Sequence, residues 1–298
     1  MNTSFDYYRT FYYVGKYGSF TQAARILQNN QPNITRMMNN LEAELGCRLF
    51  VRSRRGTSLT PEGEKLFVHV EAAFQQIQLG EAAVAAGAHL QSGFLSVAIS
   101  EIALHGLLLP VLQEYRRQYP GVHIRILNHS TPQGIQAVEQ GTAELAVVST
   151  PLEHRKPLHM TPIRSFRDLP VVGPYNRSLL NGSVTLEELS RFPLITLSRN
   201  SASFAYLNDL FAQESLPLEP SVEAATTDQI IPMVRHDIGV GFVPASLAEP
   251  AIQERTVFPV KLRTKLPERH ICIVKDRGRP LSAAAHALEE MILCQKSA

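Results

Sequence analysis

Pro32, Thr35, Arg36, Asn39 and Ala43 recur at helical spacing, and Arg52, Arg54 and Arg55 follow soon after. A hydroxyl, a guanidinium and an amide on one helix face can hydrogen-bond to base edges in a duplex groove. Arg36 suits guanine, Asn39 suits adenine, and Thr35 suits a phosphate or a thymine methyl. The arginines that follow suit backbone phosphates or a minor groove. The bland alternative is a solvated helix face; the neighbouring basic hairpin favours the polyanion. Charge supports this: residues 1–60 hold eight Lys/Arg against three acids, a net of +5, while the whole chain is only +2 and residues 61–298 carry −3. Asymmetry of this kind marks a nucleic-acid-binding end.

The elements that must carry these groups are legible. Phe5, Tyr8, Phe11, Tyr12 and Val14 follow a helical period that Gly18 stops, and Phe20, Ala23, Ala24 and Leu27 make a short second helix. After Asn29-Asn30, a third helix is capped by Asn30 or Gln31 with Pro32 in its first turn. Its apolar stripe is Ile34, Met37, Met38, Leu41 and Leu45, opposite the polar face. Leu49-Phe50-Val51 and Thr57-Ser58-Leu59 flank Arg54-Arg55-Gly56, a hairpin with glycine at the turn. Thr60-Pro61 opens a long helix whose Leu66, Val70, Ala73, Ile77 and Val84, joined by Phe67 and Phe74, keep a heptad-like spacing. That seam closes on a second copy of the chain, or else on another domain of the same chain.

Beyond residue 90, strands and helices alternate: strands over 94–100, 122–127, 144–149, 168–173, 194–197, 221–225, 239–243 and 270–274, with helices between them except over 150–167 and 244–269, and a last helix at 281–294. The pattern predicts two similar α/β units with mostly parallel sheets, joined across proline-bearing stretches near 160–165 and 262–268. Ligands of such sheets sit at strand C-termini beside helix N-termini. The candidates are Ser100, Glu101, Ser130, Thr131, Ser198, Asn200, Ser201, Ser203, Thr226 and Thr227. Hydroxyls and free amides together suit a carboxylate, although plain helix capping accounts for the serines equally well, and Glu101 would repel an anion unless it turns outward.

Other classes fit poorly. No apolar run is long enough to span a bilayer, and the polar N-terminus lacks a signal peptide, so the expected location is cytoplasmic. No GxSxG, GxxxxGK[ST], HExxH or strand-linked GxGxxG is present, so no catalytic residues are expected. Cys47, Cys272 and Cys294 form no metal spacing and read as reduced, packed thiols; His154 and His159 do not suggest a metal either. An exported solute-binding protein would share the two-unit pattern but has no use for a basic N-terminal segment.

The N-terminal segment resembles the DNA-binding domain of the LysR-type transcriptional regulators. Phe11, Val14, Gly18, Ser19, Phe20, Thr21, Ala23, Ala24, Leu27, Gln31, Pro32, Leu41, Glu42, Leu45, Gly46, Leu49, Phe50, Arg52, Leu59, Thr60 and Gly63 carry the match. Asn30, Thr35 and Met37 depart from it, at or beside the reading face. Leu109-Pro110, Tyr119-Pro120, Glu139-Gln140-Gly141, Ala146 and Gly239-Val240-Gly241 extend it more loosely. The resemblance implies an α plus α/β chain: a winged helix-turn-helix (1–60), a linker and dimerisation helix (61–90), and a bilobal effector domain (91–298) similar to type 2 periplasmic binding proteins. Subdomain I would span 91–163 and 266–298, and subdomain II 164–265. Thr21, Gln31, Pro32, Asn33, Thr35, Arg36, Asn39, Arg52, Arg54 and Arg55 would contact operator DNA, and Leu66, Val70, Phe74, Ile77 and Val84 would pair subunits. Expected partners are double-stranded DNA, a small-molecule effector, further copies in a homodimer or homotetramer, and RNA polymerase, with no cofactor, metal or membrane.

Overall fold

The computed structural model describes residues 4–53, 56–85, 93–152 and 156–295, without the side chains of 52, 53, 56, 75 and 79–85. The chain divides into two units, Met1–Glu81 and Ala82–Ala298.

In the first unit, Ser4 caps helix α1 (Phe5–Tyr17), and Gly18 ends it in the left-handed conformation, φ 59°. Ser19 caps α2 (Phe20–Ile26), and the Asn30 side chain accepts from the Asn33 N–H at the start of α3 (Gln31–Leu45), with Pro32 in the first turn. These polar caps satisfy N–H groups that a helix start leaves without partners. Phe11, Val14, Ala23, Ile34, Met38 and Leu41 form the core between the three helices. Of the expected α3 stripe, Leu45 is exposed and Glu42 is buried instead. Strands β1 (Phe50–Ser53) and β2 (Gly56–Leu59) form an antiparallel wing paired from Phe50↔Leu59 to Ser53↔Gly56. Gly56 therefore opens β2 rather than occupying the turn.

Helix α4 (Pro61–Ala85) follows. Thr60 Oγ1 accepts from the Gly63 N–H at 3.0 Å and donates to the Arg48 carbonyl at 2.7 Å. A Cβ on Gly63 would lie 2.2 Å from the Leu49 carbonyl oxygen, so only glycine lets α4 close onto the base of the wing. The structure corrects the expected pairing seam. Val70 and Phe74 are buried, and Leu66 is half-buried, in the core of the chain's own first unit. Phe74 stacks on Tyr12 at 4.8 Å and on Phe5 at 5.4 Å. The aromatic row of α1 offers the nearest apolar surface, so it covers that side of α4. Ala73 and Ile77 stay exposed, Ile77 at 40%. The side chain of Val84 lies outside the described residues.

The second unit is built on two five-stranded sheets. The first contains β3 (Gly93–Ile99), β4 (Val122–Asn128), β5 (Leu145–Ser149), β6 (Leu158–Phe166) and β12 (Arg269–Asp276), in the order β4-β3-β5-β12-β6. The second contains β7 (Asp168–Val172), β8 (Leu194–Leu197), β9 (Val222–Ala224), β10 (Val240–Pro244) and β11 (Phe258–Pro259), in the order β11-β7-β10-β8-β9. In each, one strand runs against the other four: β12 is antiparallel to β5 and β6, and β7 is antiparallel to β10 and β11. The stretch near 160–165 is not a linker but most of strand β6. Its Pro162 is tolerated because β6 is an edge strand, opposite an irregularity at Ile271/Cys272.

Helices α5 (Glu101–Ala103), a π turn (Leu104–Leu108), α6 (Leu109–Gln118), α7 (Thr131–Gln140) and α12 (Ala283–Cys294) belong to the first half of this unit. Helices α8 (Leu186–Ser190), α9 (Ala202–Gln213), α10 (Ile230–Arg235) and α11 (Ala245–Gln253) belong to the second. Helix α11 escaped the sequence reading because Pro250 interrupts its pattern. The core of the first half gathers Leu95, Val97, Leu108, Tyr115, Ile271 and Leu288, and that of the second gathers Leu186, Leu194, Leu207, Phe211 and Val240. Of the cysteines, Cys272 is buried, Cys47 half-buried and Cys294 exposed, so only the first is fully packed.

Candidate functional site

The first unit presents the polar face expected of α3. Gln31, Pro32, Arg36 and Asn39 are exposed, and Asn33 and Thr35 half-buried. Thr21 at the start of α2 donates to Gln31 Oε1 at 3.2 Å, which links the two helix starts. Arg36 Nη2 donates to Asn33 Oδ1 at 3.0 Å, and Asn33 Nδ2 donates to Asn29 Oδ1 at 3.0 Å. This relay lays the guanidinium along the helix face and leaves it further donors. The side chain of Arg52 and both Arg54 and Arg55 lie outside the described residues.

What holds the wing beside that face was not foreseen. Glu42, 9% exposed, turns inward from α3. Its Oε1 accepts from the N–H groups of Leu49 at 2.8 Å and Phe50 at 3.2 Å, and its Oε2 from Arg48 Nη1 at 2.9 Å. Across the hairpin, the Thr57 N–H donates to the Gly18 carbonyl at 3.1 Å. The wing is thus fastened to α3 by one strand and to the end of α1 by the other. The available signal was an acid on an otherwise apolar stripe.

In the second unit, a cavity of about 570 Å³ opens between the two sheets' halves, and all ten residues expected from strand ends line it. Ser100 caps α5 and Ser201 caps α9, accepting from the Ala103 and Phe204 N–H groups at 3.3 and 3.1 Å. Ser130 donates through N–H and Oγ to Gln133 Oε1 at the start of α7. Thr131 Oγ1 is spent on the Ser149 backbone, donating to its carbonyl at 2.9 Å. Capping and cavity lining therefore coincide at several of these serines. The helix starts direct positive dipole ends toward this region, which favours an acceptor-bearing or anionic ligand. Glu101 does turn aside: Oε1 pairs with His105 Nε2 at 2.9 Å and Oε2 accepts from Asn128 Nδ2 at 3.0 Å. Asn128, His129, Gln133, Gln136 and Ser149 also line the cavity and were missed, because isolated polar residues carry no periodic signal.

Behind the cavity lies Arg269, only 2% exposed. Nη1 meets Asp168 Oδ2 at 2.6 Å, Nε donates to the Thr150 carbonyl at 2.8 Å, and the guanidinium carbon sits 5.0 and 4.8 Å from the Phe166 and Tyr206 rings. Tyr206 in turn donates to the Pro267 carbonyl at 3.0 Å, and burial pushes its hydroxyl up to about 12, so it stays a neutral donor. Asp168 opens β7 just after the first passage between halves, and Arg269 opens β12 just after the second. The ion pair pins the two passages together.

Two family models cover nearly the whole chain: "Bacterial regulatory helix-turn-helix protein, lysR family" matches residues 5–64, and "LysR substrate binding domain" matches residues 88–296. The chain belongs to the LysR family of transcriptional regulators. Among relatives of this LysR-family regulator, the HTH-type transcriptional regulator AlsR of Bacillus subtilis is 28% identical over 76% of each chain. The HTH-type transcriptional regulator BbuR of Bordetella bronchiseptica is 31% identical over 78% of this chain and 72% of its own. Among solved structures, full-length CbnR complexed with its target DNA shares the fold at a TM-score of 0.72, with 20% identity over 98% of this chain and 99% of that one. CrgA, a LysR-type transcriptional regulator from Neisseria meningitidis, aligns at 0.58, with 19% identity over the full length of both. The relatives are named as regulators rather than enzymes, and the LysR-family chain is a DNA-binding transcriptional regulator with a substrate-binding domain. Among the described residues, no helix is long and apolar enough to cross a membrane.

Proposed function

We propose that this regulator reads a duplex operator through the exposed face of α3 (Gln31, Pro32, Asn33, Thr35, Arg36 and Asn39), with Thr21 at the α2 start and Arg52, Arg54 and Arg55 of the wing on the phosphates. A small molecule bearing a carboxylate or similar acceptor group occupies the cavity in the second unit and changes how assembled copies hold that operator. The observation that carries this reading is the cavity itself: hydroxyls and helix starts from both halves converge on it, while the one lining carboxylate among the described residues, Glu101, is engaged by His105 and Asn128. A ligand that bridges both halves alters DNA binding only as far as it binds two arrangements with different affinity. The regulator works as a homodimer or homotetramer in the cytoplasm, with α4 as one contact between copies, and answers to RNA polymerase at its promoter.

The test is fluorescence anisotropy of the full-length protein on an operator selected from random duplexes, with and without metabolites that raise its melting temperature. Arg36→Ala and Asn39→Ala should each cost about 1–3 kcal/mol and relax base preference at one position. Unaltered preference in both variants removes α3 from the reading role. Metabolites that stabilise the protein yet leave operator affinity and promoter output untouched remove the cavity from the regulatory one.

A further inference from the structure

Ser149 on β5 and Ser203 on α9 both line the cavity, one from each half of the second unit. Arg269 Nη2 reaches both, donating to Ser149 Oγ at 3.3 Å and to Ser203 Oγ at 3.1 Å. A guanidinium has donors and no acceptor, so a hydroxyl bonded to it must use an oxygen lone pair. Its own hydrogen is thereby turned away and left to donate. Neither hydroxyl hydrogen has an acceptor among the described residues. The buried cation thus presents two O–H donors, side by side, to whatever enters the cavity. Its Nη1 end is engaged by Asp168 and the opposite end faces the serines, so the positive end of the ion pair points the same way. The rings of Phe166 and Tyr206, 5.0 and 4.8 Å from the guanidinium carbon, confine the group and keep this polarity from being lost by rotation.

We infer that Arg269 is a specificity-determining residue of the cavity: it fixes the Ser149 and Ser203 hydroxyls as donors and so selects an effector that presents a carboxylate to them. The inference rests on the cavity being the effector site. Each hydroxyl keeps a second lone pair, but beside the cation that lone pair is a weakened acceptor, so a primary amide of the same shape gains less there than a carboxylate that takes both O–H bonds with charge assistance. That charge assistance is what separates the two ligands.

The experiment uses the full-length protein and paired probes, namely benzoate, succinate and acetate against their primary amides, with inorganic sulfate as a third arm, all at constant ionic strength. Melting temperature and titration calorimetry are the readouts. The expected result is that at least one carboxylate binds roughly tenfold tighter than its amide. Arg269→Met should collapse that ratio toward one, and Ser203→Ala should weaken the carboxylate while sparing the amide. Arg269→Met leaves Asp168 buried without its partner, so where that variant fails to fold Ser203→Ala and Asp168→Asn carry the decision. Asp168→Asn breaks the ion pair and lowers stability but keeps Arg269, and it should retain the preference. A preference that survives both Arg269→Met and Ser203→Ala, or that disappears equally in Asp168→Asn, overturns the inference. Sulfate binding without carboxylate binding overturns it too. If a neutral metabolite binds while every carboxylate fails, the inference falls and the cavity remains an effector site. If no small molecule binds or shifts operator affinity, the wider reading falls with it.

Discussion

Replacing Glu42 with leucine tests whether a single buried carboxylate places the wing. The side chain accepts three hydrogen bonds, two of them from the buried N–H groups of Leu49 and Phe50. Leucine fills similar space and accepts nothing, so both N–H groups lose their partner where water does not replace it. Each orphaned group costs about 1–3 kcal/mol, and extra apolar burial returns part of it, for a net loss of about 1–5 kcal/mol. Glu42→Gln keeps an amide oxygen for the two N–H groups and loses only the pair with Arg48, whose side chain is 80% exposed. An exposed partner makes that pair worth about 0–1 kcal/mol. Amide hydrogen exchange on the full-length protein reads the difference directly. In Glu42→Leu the opening free energy of Leu49 and Phe50 should fall by at least about 1 kcal/mol, while strands of the second unit stay unchanged. Operator binding should weaken with a shallower salt dependence as the wing leaves the phosphates. Equal exchange at Leu49 and Phe50 in the leucine, glutamine and parent proteins would refute the assignment of Glu42 as the wing's anchor.

Further expectations concern other parts of the chain. Arg54→Ala and Arg55→Ala should weaken binding to all duplexes about equally, each lowering the log–log salt slope by about 0.9; identical slopes would remove these arginines from the phosphates. Ile77→Asp should impair self-association, read by light scattering, because Ile77 is among the α4 residues its own core leaves exposed. Burial holds the Glu144 carboxyl above its usual 4.5, despite hydrogen bonds from Ser282 and Ser96. The folded chain therefore holds the proton more tightly than the unfolded chain, and Glu144 loses stability relative to Glu144→Gln as pH rises from 4.5 through its folded value. Melting temperatures should match at low pH and diverge in favour of the glutamine variant toward neutrality; a constant difference would contradict this. Burial also pushes the Cys272 thiol up to about 11, so iodoacetamide at neutral pH should label exposed Cys294 well before Cys272 in the native protein.

Sequence alone determined the local elements and the family. Asn30 before Pro32, Gly18 after α1 and Thr60 before Pro61 are capping choices whose effect is confined to a few neighbouring residues, and each helix starts or stops where they place it. The same locality made the strand ends legible, so hydroxyl residues just past them identified the cavity lining. Tertiary structure decided which surface covers which. The apolar repeat of α4 shows that Leu66, Val70 and Phe74 need a partner, but only the folded α1 shows that Tyr12 and Phe5 supply it. Strand β12 joins the first sheet from more than a hundred residues away in sequence, so its antiparallel pairing was invisible to a pattern read along the chain. Arg269 and Asp168 likewise meet only because both passages between the halves return to one place. Periodicity records which side of an element avoids water; it does not record what arrives to exclude it, and that was settled by long-range packing.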